Sequence, residues 1–204
     1  MVGIVNYGVG NLASISNMFK KIGVPAFITN DIAQLQTASK IILPGIGAFD
    51  HCMQQFNASG LRPTVEDMVF NKQVPVLGVC VGCQMLVESS EEGNEPGLGW
   101  LKGKVIKFKK EQLPQGYKVP HMGWTDTRPV NDSRVYSGIA EPRFYFVHSY
   151  HVLASDPSNV TAFADYGYEF TASIGNGHIQ GVQFHPEKSH KFGMQLYSNF
   201  AKLF

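Results

Sequence analysis

Cys80 stands in the segment of this chain whose residue types and spacing most clearly suggest chemistry. Residues 75–84 read Pro-Val-Leu-Gly-Val-Cys-Val-Gly-Cys-Gln, so an apolar run enters the pattern Gly-x-Cys-x-Gly. This is the sequence form of a nucleophile elbow, a tight strand-to-helix turn that exposes a nucleophile at the C-terminal end of a sheet. A helix starting after Cys80 would direct its positive end at the sulfur and favour the thiolate. A buried structural cysteine is an equally open alternative.

A thiol nucleophile needs a base, and the chain offers seven histidines. His185 follows the apolar run 181–184 and is followed by Pro186 and Glu187. Because proline fixes the backbone direction where the strand stops, Glu187 can orient the imidazole of His185. Three others lack such a carboxylate and are expected to be structural: His121, His148 and His178. Cys83, one turn beyond Cys80 and without a glycine directly after it, is expected to pack. No Cys or His pairs have zinc-like spacing, so no metal is expected.

The third chemical element is the turn Pro44-Gly45-Ile46-Gly47-Ala48-Phe49, which follows another apolar run. Open α/β sheets place their active sites at the carboxyl ends of strands. The backbone N–H groups of Gly45 and Gly47 could therefore turn toward a developing oxyanion. Taken alone, the segment fits a plain turn slightly better.

A competing motif lies near the N-terminus. Residues 8–13 read Gly-Val-Gly-Asn-Leu-Ala after an apolar run, and Asp31 follows at about the distance seen in dinucleotide-binding folds. A nucleotide-binding module therefore stays open as a remote alternative. It leaves the elbow at Cys80 and the His185 exit turn unexplained.

The elements that must position these residues follow from the hydrophobic pattern. Apolar runs at 2–6, 24–29, 40–43 and 74–79 alternate with helical stretches at 11–22 and 61–71. This alternation predicts a parallel sheet with helices on both faces, with Asn11 as the N-cap of the first helix and Gly23 ending it. Later β-like pieces are predicted at 104–109, 143–148, 160–165, 169–174 and 178–184. Gly175-Asn176-Gly177 predicts a hairpin between the last two. A closing helix at 189–203 carries apolar Phe192, Leu196, Phe200 and Leu203.

Length and charge set further bounds. With 204 residues, the chain is expected to form a single domain spanning 1–204. A net charge of +1 indicates neither a nucleic acid nor a membrane surface as partner. No segment has the roughly 18 apolar residues of a membrane span, and the N-terminus lacks a secretory pattern. Three cysteines, an odd count, favour reduced thiols and a cytoplasmic location.

Two motifs carry a family resemblance. Gly-Val-Cys-Val-Gly-Cys-Gln at 78–84 and Gly-Val-Gln-Phe-His-Pro-Glu at 181–187 resemble the class I (triad) glutamine amidotransferase family, over nearly the whole chain. The resemblance implies a flavodoxin-like three-layer sandwich, a mostly parallel sheet with antiparallel C-terminal additions. It also implies that Cys80 forms a glutamyl thioester, His185 transfers protons and Glu187 holds His185. Gly45, Gly47 and the amide of Val81 would form the oxyanion site, and no cofactor is implied.

Four more segments, at 6–12, 44–49, 120–124 and 146–150, resemble one branch of that family. In this branch the glutaminase passes ammonia to a HisF-type cyclase, which makes imidazole glycerol phosphate and aminoimidazole carboxamide ribonucleotide. The branch implies glutamine-binding residues at Gln84, Glu92, Ser149 and Tyr150. It implies a partner surface that includes these residues: Asn11, Pro120, Trp124 and Lys188. A peptide flip within residues 45–47 is the implied switch.

Three positions depart from the branch: Cys83, Thr125 and His151 stand where methionine, asparagine and arginine are usual. None removes a catalytic atom, but they leave the ammonia acceptor open. A glutaminase subunit that feeds a sugar amidotransferase in surface polysaccharide synthesis remains an alternative. A cysteine hydrolase on a related sheet is a further one, although it would normally lack the His-Pro-Glu turn.

Overall fold

The computed structural model describes residues 1–131 and 133–204, and its first half alternates strands with helices. Four short strands pair in parallel, and all except β2 are largely buried: β1 (Val2–Val5), β2 (Ala26–Thr29), β3 (Lys40–Leu43) and β4 (Val76–Val79). The helices of this half are α1 (Leu12–Lys21), α2 (Ile32–Leu35), α3 (Phe49–Ala58), α4 (Arg62–Glu66) and α5 (Val81–Met85). Strands buried on both faces read as continuous apolar runs, which is why the sequence revealed them.

The second half is mainly antiparallel. Its strands are β5 (Ser89–Ser90), β6 (Gly103–Lys107), β7 (His121–Pro129), β8 (Arg143–His148), β9 (Tyr150–Ala154), β10 (Val160–Asp165), β11 (Glu169–Asn176) and β12 (Ile179–Val182). A turn at Pro186–Lys188 leads into the last helix, α6 (His190–Leu203).

One continuous sheet joins the two halves. Its main strand order is β2-β1-β3-β4-β12-β11-β10-β7-β8, and β5, β6 and β9 pair beside this path. β12 is the junction, because it pairs in parallel with β4 and antiparallel with β11. The helices pack in groups, α1 with α6 and α3 with α5. The predicted α/β fold, a mostly parallel sheet with antiparallel C-terminal additions, is confirmed.

Most predicted elements are confirmed with shifted ends. The helix predicted at 61–71 begins as α4 and continues as a wider π-helical segment, Asp67–Asn71. Gly23 follows the end of α1 with φ +69°, as a helix-ending glycine should. Helix α3 and strands β7 and β9 were not predicted.

Three local details refine the predictions. Asn11 occupies the predicted N-cap position of α1, but its side chain makes no capping hydrogen bond to any described residue. Leu203 is 40 % exposed, because it lies at the last turn of α6. The predicted hairpin forms, and its turn is Gly177-His178, since Asn176 still pairs with Ile179.

Candidate active site

Cys80 sits in a strained turn between β4 and α5. Its backbone has φ +55° and ψ −112°, a conformation that residues with side chains rarely adopt. The two glycines of the motif are required by close packing. A Cβ atom on Gly78 would lie 2.5 Å from the Gly82 carbonyl oxygen, and one on Gly82 would lie 2.0 Å from the Leu43 carbonyl oxygen. The predicted nucleophile elbow is confirmed as a local structure.

Adjacent strands bring His185 to this turn. β12 lies beside β4 with Val182 opposite Val79, and the Cys80 amide donates to the Val182 carbonyl oxygen at 2.8 Å. Three residues later, the His185 amide donates to the Tyr145 carbonyl oxygen on β8 at 2.9 Å. Parallel neighbours end at the same edge of the sheet, so two residues 105 apart in sequence face one cavity.

Glu187 orients the His185 ring. Its Oε1 atom lies 2.8 Å from His185 Nδ1, and the two side chains are 1 % and 3 % exposed. Since Nδ1–H donates a hydrogen bond to the carboxylate, Nε2 is left for Cys80. The predicted contact between His185 and Glu187 is confirmed.

The groups around His185 favour its protonated form. Burial alone would lower the pKa of His185, but a negative Cys80 sulfur, a hydrogen bond to it and the Glu187 carboxylate together raise it to about 10. A protonated His185 beside Cys80 holds the proton that a general acid needs. Complete burial raises the pKa of the Cys83 thiol and keeps that thiol neutral. Packing is therefore its role, as predicted.

A cavity of about 370 Å³ opens over Cys80, a size usual for small-molecule sites. Every predicted glutamine-binding residue lines it. The full lining is Ile46, Gly47, Cys80, Val81, Gln84, Glu92, Pro120, Val147, His148, Ser149, Tyr150, His185 and Lys188.

Hydrogen bonds fix the floor of this cavity. Gln84 Nε2 donates to the Tyr150 carbonyl oxygen at 3.1 Å and to Gln183 Oε1 at 3.0 Å, which leaves Gln84 Oε1 for a ligand. Gln183 Nε2 lies 3.9 Å from Cys80 Sγ. The sequence did not single out Gln183, although its place two residues before His185 is a signal, since alternate residues of a strand share a face. Glu92 accepts a hydrogen bond from the Phe49 amide at 2.9 Å.

A histidine cluster formed by His121, His148 and His151 packs around Phe108, and His148 forms part of the cavity wall. His148 Nδ1 lies 2.8 Å from the Tyr150 carbonyl oxygen, and its Nε2 lies 3.0 Å from His121 Nδ1. Burial lowers the pKa of all three histidines, to about 4 for His121 and His151. They are neutral structural groups, as predicted for His121 and His148, but the sequence did not reveal that His148 also lines the cavity.

The glycine turn closes the cavity on the side of α5. A Cβ atom on Gly45 would lie 2.4 Å from the Gly82 amide nitrogen, so Gly45 must pack directly against the start of α5. Gly47 has φ +84° and lines the cavity with Val81, which begins α5. The glycine turn and the start of α5 therefore form one side of the cavity that Cys80 also lines.

Two of the four residues predicted to meet a partner lie at the cavity. Pro120 and Lys188 line the cavity, and the Lys188 amine lies 5.8 Å above the Tyr145 ring. Trp124, 37 % exposed, stacks on His190 with ring centroids 5.6 Å apart. α1, which Asn11 precedes, packs against the turn that holds Lys188.

The competing nucleotide motif has a structural use instead. The Asp31 carboxylate accepts a hydrogen bond from the Gln34 amide at 2.7 Å and so caps α2. A Cβ atom on Gly10 would lie 2.7 Å from the Pro44 Cβ atom, so the second glycine allows the first loop to pack against the active-site turn. Among residues 1–131 and 133–204, no helix has both the length and the apolar character needed to cross a bilayer.

Comparison with known proteins agrees with this geometry. The family model described as "Glutamine amidotransferase class-I" matches residues 4–203. The chain is 46 % identical over 204 residues to the imidazole glycerol phosphate synthase subunit HisH of Bdellovibrio bacteriovorus and 47 % identical to HisH 2 of Pseudomonas aeruginosa, with 100 % of each chain covered.

Solved structures share the fold at much lower identity. A structure titled as a glutamine amidotransferase superposes with a TM-score of 0.74 at 19 % identity, covering 99 % of this chain and 97 % of the other. The structure of PurLQS from Thermotoga maritima gives a TM-score of 0.73 at 18 % identity with the same coverage.

Proposed function

This chain belongs to the class I glutamine amidotransferase family, and from that premise we propose that it is the glutaminase subunit of an imidazole glycerol phosphate synthase. It hydrolyses the side-chain amide of glutamine to glutamate and ammonia. The observation that carries the proposal is that Cys80 and His185 line one cavity while Glu187 holds the His185 ring by a hydrogen bond. Full-length identity to HisH proteins supports the choice of synthase.

In the first half-reaction, the Cys80 thiolate attacks the carboxamide carbon of glutamine. The carbonyl oxygen gains negative charge, and the amides of Gly47 and Val81 stabilise it, with Gly45 holding the turn against α5. His185 gives its Nε2 proton to the departing nitrogen, the C–N bond breaks, and ammonia leaves. A glutamyl thioester remains on Cys80.

In the second half-reaction, the now neutral His185 removes a proton from water. The resulting hydroxide adds to the thioester carbon, the same amides stabilise the oxyanion, and the C–S bond breaks to give glutamate and the Cys80 thiolate. Glu187 holds the ring in the tautomer that keeps Nε2 available in both steps. Gln84, Glu92, Ser149 and Tyr150 orient the amino acid part of glutamine, a role their place in the cavity wall supports.

The ammonia acceptor is a HisF-type cyclase bound over the cavity mouth. We assign this contact to the face that carries Asn11, Pro120, Trp124 and Lys188, since two of these residues line the cavity itself. Residues 1–204 act as one glutaminase domain in this assembly. The proposed thiolate requires a reduced sulfur, so the reaction belongs in the cytoplasm, where thiols are kept reduced.

The test is glutamate release from glutamine by the chain alone, with a HisF-type cyclase, and with cyclase plus its ribonucleotide substrate. We expect strong stimulation in the last case, and a loss of at least about 1,000-fold in Cys80→Ala. Cys83→Ala is the matched control, because it deletes a neighbouring buried thiol and should retain activity. Activity that persists in Cys80→Ala but is lost in Cys83→Ala would contradict the assignment of the nucleophile. Stimulation by a sugar amidotransferase, but by no cyclase, would contradict the acceptor.

A further inference from the structure

Two buried hydrogen-bond donors lie on the core side of the glycine turn, outside the triad and the cavity lining. The Tyr7 hydroxyl donates to the Pro44 carbonyl oxygen. The Cys52 thiol, on α3, donates to the Ile46 carbonyl oxygen with the sulfur and oxygen 3.3 Å apart. Tyr7 is 4 % exposed and Cys52 is fully buried. The carbonyl groups of two residues of one turn are therefore held from the same side.

Both donors keep their protons under all ordinary conditions. Burial raises the pKa of Cys52 to about 11, and burial together with the neighbouring Cys52 raises the pKa of Tyr7 above its usual range. A protonated hydroxyl and a protonated thiol are donors, as carbonyl acceptors require. The two bonds thus persist whatever the charge on Cys80.

The position of these carbonyls determines where the next amides point. In a planar trans peptide the C=O and N–H bonds point in opposite directions. Because the Ile46 carbonyl faces Cys52 in the core, the Gly47 N–H points away from the core, on the side where Ile46 and Gly47 line the cavity. Within the described residues this amide has no hydrogen-bond acceptor of its own. It is free to donate to a ligand.

We propose that Tyr7 and Cys52 are positioning residues that clamp the Pro44 and Ile46 carbonyls and thereby hold the Gly47 amide toward the oxyanion formed at Cys80. The inference rests on the proposed glutaminase function and adds two residues to its machinery. Neither residue touches the substrate. Their effect is on the transition state, because the oxyanion exists there and not in bound glutamine.

The clamp is tested with Tyr7→Phe and Cys52→Ala, which delete one donor each and leave the rest of the side chain volume nearly intact. Losing an oxyanion donor outright costs about 100- to 1,000-fold in kcat, so loosening its support should cost about 5- to 50-fold. KM should change less than about twofold, and Cys52→Ser, which restores a donor, should recover most of the loss. Matched controls are Tyr136→Phe, which deletes a buried hydroxyl bonded to Ser173, and Cys83→Ala.

A second readout separates positioning from general damage. Alkylation of Cys80 by iodoacetamide forms no oxyanion, so its rate should stay within about twofold in both variants while kcat falls. Equal losses in alkylation and kcat, or kcat values no different from the controls, would overturn the clamp. If the wild-type chain with its cyclase releases no glutamate, the proposed function fails instead, so the two failures are distinguishable.

Discussion

Replacing Glu187 by glutamine isolates what its charge does for His185. The two side chains are almost fully buried and their facing atoms are 2.8 Å apart. Unit charges about 4 Å apart at an effective dielectric constant of about 20 interact by about 4 kcal/mol, which corresponds to roughly 3 pKa units. Cys80 contributes more than Glu187 to the raised pKa of His185. We therefore assign about half of these 3 units to Glu187 and expect Glu187→Gln to lower the pKa of His185 by about 1.5, from about 10.

The direction of this pKa change determines the pH range in which activity is lost. His185 must be protonated to release ammonia, and a raised pKa extends the protonated form upward in pH. At pH 7.5 both enzymes keep the proton, so the variant loses only about tenfold, through poorer ring orientation. At pH 9.5 about three quarters of wild-type His185 is protonated but only about a tenth in the variant. The ratio of rates should then widen by a further factor of roughly eight.

The assay is kcat/KM for glutamate release between pH 6 and 11, in complex with the cyclase, together with NMR titration of the His185 ring. Glu169→Gln is the matched control, because Glu169 forms an exposed ion pair with Arg128 far from the cavity. An alkaline limit that stays at the wild-type pH in Glu187→Gln, with an unmoved His185 titration, would refute the role given to the carboxylate.

Three further outcomes are expected. Gly82→Ala should lower the free energy of unfolding in urea by at least about 2 kcal/mol, because the new methyl group would lie 2.0 Å from the Leu43 carbonyl oxygen. Gly60→Ala, at φ +72° with open space around it, should lower it by about 1 kcal/mol. Equal losses in the two variants would contradict the packing argument. Gln84→Leu should raise KM for glutamine about tenfold or more, with a smaller effect on kcat, when initial rates are measured. An unchanged KM would show that Gln84 does not bind the substrate. The lowered pKa values of the histidine cluster mean that the unfolded state takes up protons first, so the urea midpoint should fall as pH drops from about 6.5 to about 4. His151→Phe should make that fall less steep, and a decline parallel to the wild type would exclude His151 as a cause.

The sequence predicted the central sheet because its strands are buried on both faces. The run 76–79 has no solvent-facing position, so its apolar character is unbroken. Strand β7 was missed for the opposite reason. Its residues alternate between buried and exposed and include Gly123 and Pro129, which weaken a strand pattern. Helix α3 was missed at its start, because Ala48 occupies the N-cap position and offers no capping side chain.

The candidate site was predicted where local chemistry determines it. The glycines around Cys80 and the proline after His185 determine the local backbone turns, whatever residues pack against them. The support of the site was not predictable in this way. Gln183 contacts Cys80, 103 residues away in sequence, and Tyr7 contacts Pro44, 37 residues away. Cys52 contacts the backbone carbonyl of Ile46, and a carbonyl carries no side-chain signal in the sequence. Pairing of β12 with β4 is the long-range event that brings Gln183 and His185 to Cys80.

The position of β12 has a consequence for synthesis of the protein on the ribosome. This strand, at residues 179–182, is inserted between β4 and β11, so the edge of the parallel half stays open until most of the chain has been translated. An open edge of apolar strands is prone to associate with other chains, and contacts of such long sequence separation form slowly. Nascent chains that end before β12 should therefore depend on chaperones, while their Cys80 has no base beside it and cannot hydrolyse glutamine. Late synthesis of β12 therefore exposes the nascent chain to aggregation, and it also prevents the incomplete chain from hydrolysing glutamine.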